Sequence, residues 1–471
     1  MKTNTLVKGK KVLNDIQNMK TIGELIDYIP KKHIQRIAFA ILILWTCSPI
    51  FVMIYGSFAR LYDDPDWLSK LNQMYKMTIN WYRILLQLGL SGCLIGLLAF
   101  LKSLKNAKKD EFHAKTYIKE RLIKFSLLSM LIWSFLSFLF SDNLALSLFG
   151  GEFKKEGFAT FVAVAGIFSC AYIIKDEKYS KWIIEIFTAV TVLQSILMLI
   201  NVDAINKQLG FSDNASVYLN INHFAYILCM AAMSALLLYE NESKSKLRTF
   251  GRLLMFAIII AALVRNRSLG PYLATLCAII SSIILAIWLN KSRLRKLIIA
   301  LVVFFLVTFI MNLSDGHLYI DLKIFGFELF QLIEGSEDLS HIGSGRWELW
   351  GQGLQYMSER PILGCGPGLL SDLYFTESGN ANRPHNEFIE YAATIGIPGV
   401  LFYISALFIY LKKIIKKRRE LSSFSIGLLC IVIAYLVSSL FGVVIYNVSP
   451  YFFMFFGLSI GVLRCQVPVS K

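Results

Sequence analysis

Apolar runs long enough to cross a lipid bilayer recur along almost the whole of this 471-residue chain. A transmembrane helix needs about 20 predominantly apolar residues. We therefore predict an all-α, polytopic membrane protein with about twelve transmembrane helices. The predicted spans are 37–57, 81–101, 122–140, 158–174, 182–201, 222–239, 250–264, 271–289, 297–313, 395–411, 423–445 and 450–463.

The composition agrees with a membrane protein. Hydrophobic residues make up 56% of the chain, and only 17% of residues are charged. Soluble domains average about 25% charged residues, so the composition excludes a disordered chain, a fibrous chain and an ordinary soluble enzyme. One membrane body replaces the roughly three soluble domains that the length alone would suggest.

Basic residues follow alternate connections between the predicted spans. The connections 102–121, 290–296 and 412–422 are rich in Lys and Arg, whereas the other side has more acidic than basic residues. Cytoplasmic loops of membrane proteins accumulate Lys and Arg. The pattern therefore predicts a protein of the cytoplasmic membrane with both termini in the cytoplasm. It also explains the net charge of +16 without nucleic acid as a partner.

The chain divides into five predicted segments. The first has no compact apolar stretch with a small-residue cleavage site, so we expect no removable signal peptide. The segments are a basic cytoplasmic stretch (1–36), transmembrane helices one to nine (37–313), a large extracytoplasmic helical loop (314–394), transmembrane helices ten to twelve (395–463) and a cytoplasmic tail (464–471).

Metal sites and disulfides are not indicated. The eight cysteines form no CxxC pair and no cluster with histidine, so neither a zinc site nor a disulfide framework is expected. We expect a protein without a metal or another cofactor.

The extracytoplasmic loop contains an amphipathic helix. Trp347, Trp350, Leu354 and Met357 recur at helical spacing within 345–359, and Pro361 is expected to end the helix. The glycine-rich stretch 364–368 follows. A nucleotide cradle is disfavoured there, because no strand precedes the glycines and Pro367 lacks an N–H donor.

Four basic residues on the extracytoplasmic side are candidates for anion binding. Arg265 and Arg267 lie in a tight reversal before Gly270 and Pro271, although arginines there could simply reach lipid headgroups. Lys154 precedes a span and could equally pair with nearby glutamates in solvent. Arg346 begins the amphipathic helix, where unpaired N–H groups favour anions; the alternative is an exposed helix-start residue.

His385 is the titratable candidate. Pro384 favours an extended backbone before the next helix, and Asn386 is the expected N-cap of that helix. An imidazole suits general base catalysis or a hydrogen bond to phosphate, although a lone histidine is more often structural. Glu387 and Glu390 lie three apart on one helical face and could orient a sugar or the histidine, or simply be solvated.

These residues form a cationic, extracytoplasmic set with one histidine. Fixed positive charges at a membrane boundary suit a substrate whose leaving group is an anionic lipid phosphate. We read His223, near another helix start on that side, as mainly structural.

Four short pieces resemble the shared domain of the O-antigen ligase and polymerase family. They are Gly345-Arg346-Trp347-Glu348-Leu349-Trp350, Pro361-Ile362-Leu363-Gly364-Cys365-Gly366-Pro367-Gly368, His385-Asn386-Glu387-Phe388-Ile389-Glu390-Tyr391 and Gly396-Ile397-Pro398-Gly399. Their order and spacing are more specific than any single piece. Weaker similarities occur around 154–157, 220–224 and 267–270.

The resemblance implies a metal-independent, inverting membrane glycosyltransferase. Its expected partners are an undecaprenyl-pyrophosphate-linked glycan as donor, a glycan, lipid or protein acceptor, and the lipid bilayer. The resemblance implies that His385, Arg346 and either Arg267 or Arg265 are the site residues. The family often has Ser-Arg-Gly at the reversal and arginine where this chain has Lys154, so the aligned arginine and bidentate phosphate binding there stay open.

Two other classes of function compete with the enzyme. A transporter or flippase for a lipid-linked or anionic substrate would share the multi-span body, but it predicts charges at mid-membrane depth and paired halves with broken helices, which the sequence does not suggest. A non-catalytic assembly or copolymerase protein is the second alternative. Within the family, ligase and polymerase differ only in the acceptor.

Overall fold

The computed structural model describes residues 21–59, 67–109, 114–200, 214–242, 245–334, 345–370, 383–442 and 445–465. These residues form helices joined by turns, with no strand among them. The predicted all-α, polytopic fold is therefore confirmed.

Sixteen α-helices are described, and we number them in chain order. They are α1 (Ile22–Tyr28), α2 (Lys31–Ala59), α3 (Trp67–Lys109), α4 (Ala114–Leu139), α5 (Leu144–Phe149), α6 (Phe158–Ile173), α7 (Glu177–Ile200), α8 (Ile221–Glu240), α9 (Lys246–Asn266), α10 (Leu269–Leu289), α11 (Leu294–Asp315), α12 (His317–Glu334), α13 (Arg346–Glu359), α14 (Glu387–Lys416), α15 (Ser423–Ser439) and α16 (Ser449–Leu463).

Twelve of these helices correspond to the twelve predicted spans. Nine helices in the described part of the chain are long and apolar enough to cross a membrane. The three shorter apolar helices α6, α15 and α16 complete the set. α14 begins at Glu387, but Gly396 interrupts it with non-helical backbone angles. The predicted span 395–411 therefore begins at this kink, and the residues before the kink form a separate short helical piece.

The core lies among helices that are buried on every side. α8, α15 and α16 bury most of their side chains against their neighbours, as expected for helices that are apolar all round. Elsewhere, small residues let backbones touch: a Cβ added to Gly166 of α6 would lie 1.8 Å from the carbonyl oxygen of Gly89 in α3. Such close approach is typical of helix packing in membranes.

The bundle has two ends that we name by their residues. The site end contains the turn between α9 and α10 and the start of α14; the opposite end contains the turn between α8 and α9. At the opposite end Arg252 contacts Glu185 at 2.8 Å and Glu242 at 3.2 Å. We call these three residues the Arg252 cluster. Beside them the buried Arg293 pairs with Glu240.

Two helices lie between the ninth and tenth spans. The amphipathic helix predicted at 345–359 is observed as α13, and it ends two residues before Pro361. α12 was not predicted, because Asp321, Glu328 and the other acidic residues mark this stretch as too polar to span a membrane. Most of its large apolar side chains, including Phe327, Phe330 and Ile333, are exposed to the surroundings of the protein. Such a surface is suited to contact with lipid.

Candidate active site

The turn between α9 and α10 places Arg267 at the site end. The buried Asn266 donates hydrogen bonds to the carbonyl oxygens of Asn214 (2.7 Å) and Ile221 (3.0 Å). Ser268 donates to the side chain of Asn222 at 3.1 Å. Arg267 lies between these two anchors in the left-handed region, with φ of 66°, and its side chain is exposed. The turn is therefore fixed against the start of α8 while the guanidinium stays accessible.

Arg346 is the first residue of α13. Gly345 precedes it with φ of 77°, a left-handed conformation that glycine adopts without steric cost. The first N–H groups of a helix have no intrahelical partner and favour negative charge. The Arg346 guanidinium and the helix start thus present positive charge to the same place.

Arg267 and Arg346 line one cavity of about 420 Å³. Tyr226 of α8 lines it as well. The remaining wall includes two tryptophans of α13, Trp347 and Trp350, whose ring centroids are 5.2 Å apart. Two arginines from segments far apart in sequence, together with flat aromatic rings, make a cavity suited to an anionic group attached to sugars.

Two carboxylates of α12 complete the cavity wall. Asp321 and Glu328 are seven positions apart, so they lie on the same face of the helix. Burial lowers the pKa of Arg346, and the charge of Glu328 opposes this change. The cavity therefore has acidic and basic walls, and the acidic wall can accept hydrogen bonds from hydroxyl groups.

His385 lies beside this cavity on the segment before α14. Its φ of 49° is left-handed, which is uncommon for a residue other than glycine. Asn386 accepts hydrogen bonds from the N–H groups of Phe388 and Ile389, so its predicted role as N-cap is confirmed. Burial, together with the positive charges of Arg383, Arg346 and Lys154, lowers the pKa of His385 to about 4. The imidazole is therefore neutral at pH 7.

A buried ionic cluster lies directly behind His385. The guanidinium of Arg383 contacts the carboxylate of Glu156 and, at 2.8 Å, that of Glu390. All three side chains are at most 7% exposed. Burial raises the pKa of the Glu156 carboxyl, and the charge of Arg383 opposes the rise. We call these residues the Arg383 cluster; Lys154 lies two residues before Glu156.

The glycine-rich loop 364–368 lies between the start of α14 and the segment before α6, and it packs against both. The N–H groups of Cys365 and Gly366 donate to the carbonyl oxygens of Ala393 and Thr394, each at 2.9 Å. On its other side the loop approaches the segment before α6, where a Cβ added to Gly368 would lie 2.9 Å from Cα of Gly150. The glycines therefore bring the start of α14 against the segment that carries Lys154.

The structure separates the predicted residues into three groups. Arg267 and Arg346 share the cavity, His385 lies within reach of the charge of Arg346, and Lys154 lies near His385. Glu390 belongs to the Arg383 cluster, whereas Glu387 is fully buried beside the phenol groups of Tyr435, Tyr403 and Tyr391. Arg265 is half-buried on the last turn of α9 and is not among the described residues that line the cavity.

Three residues of this region were missed by the sequence analysis. Arg383 was not singled out, and Glu156 was read only as one of the glutamates near Lys154. Tyr226 was not considered, because it lies within a predicted span. The sequence did contain a signal for the pairing of Arg383, because Arg383 and Glu390 lie on either side of the predicted N-cap Asn386. No comparable local signal pointed to Tyr226.

A second cavity, of about 320 Å³, is almost entirely apolar. It lies along α6 between α3 and α4 and extends from Glu156 and Tyr391 at the site end towards Lys124. Within the described part of the chain, no group of three His, Cys, Asp or Glu side chains is arranged to hold a metal ion.

The fold and the cavities define a class: a polytopic membrane protein with an arginine-lined cavity beside a neutral histidine. Residues 254–404 match the family model described as O-antigen ligase, and no curated protein matches the chain. The resemblance to the O-antigen ligase and polymerase family is confirmed, and this chain carries the family's domain. Arg267, Arg346, Arg383 and His385 lie inside the matched segment, whereas Lys154, Glu156 and Tyr226 lie outside it. Residues 254–404 thus carry a domain of this family within an integral membrane protein.

Proposed function

We propose that this protein transfers a glycan from undecaprenyl pyrophosphate to a hydroxyl group of an acceptor, at the outer face of the cytoplasmic membrane and without a metal. The observation that supports this most directly is the cavity shared by Arg267 and Arg346 with His385 beside it. Arginine forks match phosphate oxygens, and a neutral imidazole can accept a proton.

The orientation follows from the distribution of charge. At the opposite end Lys291 lies between α10 and α11, and Arg295 lies in the first turn of α11. The last turn of α14 there carries Lys413 and Lys416. Under the positive-inside rule that end faces the cytoplasm together with both termini. The cavity then opens on the outer side of the membrane, where lipid-linked glycans are assembled into surface polymers.

In the proposed reaction the acceptor oxygen attacks the anomeric carbon of the donor sugar. A new C–O bond forms as the bond from that carbon to the pyrophosphate oxygen breaks, and the configuration is inverted. The proton of the acceptor hydroxyl moves to His385. The pyrophosphate leaves with the bonding electrons, and Arg267 and Arg346 stabilise the charge that develops on it.

A bound pyrophosphate also prepares His385 for this step. In the free protein burial and, in addition, three positive charges keep the pKa of His385 low. The negative charge of the donor offsets them, so the pKa of the imidazole rises towards the range in which a general base is effective. Lys154 adds one more positive charge near the donor.

The remaining parts of the donor fit the other surfaces. The polyprenyl chain lies in the apolar cavity between α3, α4 and α6, and the sugars contact Trp347, Trp350 and the carboxylates of α12. The transporter alternative is less favoured, because the buried ion pairs of the described residues lie near the two ends of the bundle and not at mid-depth.

The test uses the purified full-length protein and an undecaprenyl-pyrophosphate-linked oligosaccharide isolated from a strain that lacks this gene. His385→Ala and Arg346→Ala should each lower product formation roughly a hundredfold or more, whereas His317→Ala on α12 should not. Undiminished transfer by either site variant at normal protein levels would contradict the assignment. Translocation of the lipid without a new glycosidic product would favour the transporter.

The same assay separates the two arginines of the reversal. Because Arg267 lines the cavity, Arg267→Ala should weaken donor binding more than Arg265→Ala. The opposite order would assign the pyrophosphate to Arg265. The identity of the elongated product, still on the carrier or moved to another anchor, distinguishes polymerase from ligase.

A further inference from the structure

The Arg383 cluster joins the two segments that carry His385 and Lys154. Arg383 lies two residues before His385, and Glu156 lies two residues after Lys154. The guanidinium of Arg383 contacts Glu156 across the two segments. The buried guanidinium therefore adds a direct side-chain contact between two segments that the glycine-rich loop packs together.

The same guanidinium also fixes the segment of His385 internally. Arg383 contacts Glu390 at 2.8 Å, which closes the stretch from 383 to 390 into a loop. Within that loop the N–H of Glu390 donates to the carbonyl oxygen of Asn386 at 2.9 Å. His385 lies inside a stretch that is held at both ends.

The backbone of His385 is strained enough to need such support. A left-handed conformation costs about 1–2 kcal/mol for a residue with a Cβ. Strain of this kind persists only where the surrounding structure enforces it, and it is concentrated at functional sites. Here the enforcing contacts are Arg383 on one side and the Asn386 cap on the other.

The two negative charges of Glu156 and Glu390 are balanced only if both Arg383 and Lys154 contribute their positive charges. One guanidinium offsets one of the two carboxylates, and Lys154, whose charge acts on Glu156, supplies the second positive charge. Both contacts are made by one terminal nitrogen of the guanidinium, Nη1 of Arg383, which is one atom further from the backbone than the ammonium of a lysine. A lysine at position 383 is therefore not expected to reach both carboxylates from the same backbone position.

We propose that Arg383 is a positioning residue for the transfer reaction, and that its bridge between Glu156 and Glu390 holds the His385 imidazole and Lys154 in their places beside the donor cavity. Arg383 is buried and does not line the donor cavity among the described residues, so it acts through His385. This inference rests on the proposed function.

Arg383→Lys tests the inference, with Arg252→Lys as its matched control. Arg252 also contacts two glutamates, but at the opposite end of the bundle. With full-length protein in detergent, kcat and KM are measured for the undecaprenyl-pyrophosphate-linked oligosaccharide. Arg383→Lys should lower kcat roughly ten- to hundredfold with little change in KM, because Arg267 and Arg346 still hold the donor. Arg252→Lys should leave kcat unchanged.

A second measurement does not depend on activity. Diethyl pyrocarbonate modifies neutral imidazoles, and mass spectrometry of the peptides gives the rate at each histidine. Arg383→Lys should change the rate at His385 several-fold, whereas Arg252→Lys should not, and His317 serves as the internal reference. If Arg383→Lys does not fold, Glu390→Gln replaces it, because that variant keeps the pair with Glu156; an intermediate change at His385 is then expected.

The outcomes separate the inference from the proposed function. Unchanged reactivity of His385 in the folded variant would overturn the positioning role, and so would a fall in kcat shared equally by Arg252→Lys. Absence of transfer in the unsubstituted protein, with the reactivity change still present, would instead overturn the proposed function and leave the positioning of His385 standing.

Discussion

Arg383 and Arg252 have similar surroundings at opposite ends of one helical bundle. Each guanidinium contacts two glutamates. The difference lies in what the partners carry. The Arg252 cluster ties α7 to the helices on either side of a turn, whereas the Arg383 cluster ties together segments that bear His385 and Lys154. A buried ionic cluster is thus not in itself a sign of a functional site. It indicates one only where the segments that it joins carry residues capable of chemistry.

The largest expected effect is on stability, and it should differ between the two clusters because their glutamates are buried to different degrees. Arg383→Leu leaves two carboxylates that are at most 7% exposed without their partner, and an uncompensated buried charge costs about 3–5 kcal/mol. Arg252→Leu should cost less, because only one of its two partners, Glu242, is buried to that degree (4% exposed), whereas Glu185 is 32% exposed and can be solvated. Thermal unfolding of the purified protein in detergent measures both. Equal shifts in Tm would contradict the distinction.

The second prediction disturbs the site end without changing a charge. A Cβ added to Gly396 would lie 2.0 Å from the carbonyl oxygen of Ile362, and the φ of 75° is unfavourable for alanine. Gly396→Ala should therefore force the glycine-rich loop away from α14, lower stability by about 1–3 kcal/mol and reduce transfer.

Gly351→Ala on α13 is the control for this change. No atom lies within 4 Å of the added Cβ, and alanine is favoured over glycine within a helix by about 0.5–1 kcal/mol. Stability should stay equal or rise slightly. A comparable loss of stability in both alanine variants would show that the loop contact at Gly396 is not what holds the site end together.

The third prediction concerns pH. Because the pKa of His385 is lowered to about 4, the neutral imidazole persists well below its usual range. The kcat/KM of the proposed transfer, which reports the free protein, should stay level from pH 7 down to about pH 5 and fall as the pH approaches 4. Arg346→Ala removes one of the charges that lower this pKa, so its residual activity should begin to fall at a higher pH.

The control for the pH profile is Arg252→Lys. Its charge is retained and lies at the opposite end, so the acid limb should keep its position. An acid limb near the unperturbed value of about 6.5 in the unsubstituted protein would mean that His385 is not held among positive charges, or is not the group that titrates.

The sequence predicted the fold because each span is long and apolar, and this signal is local. It also predicted the N-cap at Asn386 and the helix α13, which depend on neighbouring residues only. The convergence of Arg267 and Arg346 came from family resemblance, since nothing local says that residues so far apart share a cavity. α12 escaped prediction because its acidic residues mark the stretch as too polar for a span.

The Arg383 cluster could not be read from the sequence for a different reason. Glu156 is adjacent to two lysines, and a solvated local pair is the ordinary expectation for such a stretch. Its partnership with Arg383 exists only because the glycine-rich loop packs the two segments together. Long-range pairs of this kind are set by tertiary packing, which a single sequence does not reveal.

The smallest expected effect comes from replacing one glutamate by glutamine in each cluster, one at either end of the bundle. Glu185→Gln removes a charge that is partly solvated, while Arg252 keeps its contact with Glu242, so stability should change by at most about 1 kcal/mol and transfer should not change. Glu390→Gln makes the same chemical change at the site end and should lower transfer, since it loosens the stretch that holds His385. Parallel assays of the two variants measure the contrast directly. If neither affects transfer, Glu156 alone is sufficient to hold Arg383; if both do, the two clusters are coupled through the bundle, and the distinction between them is wrong.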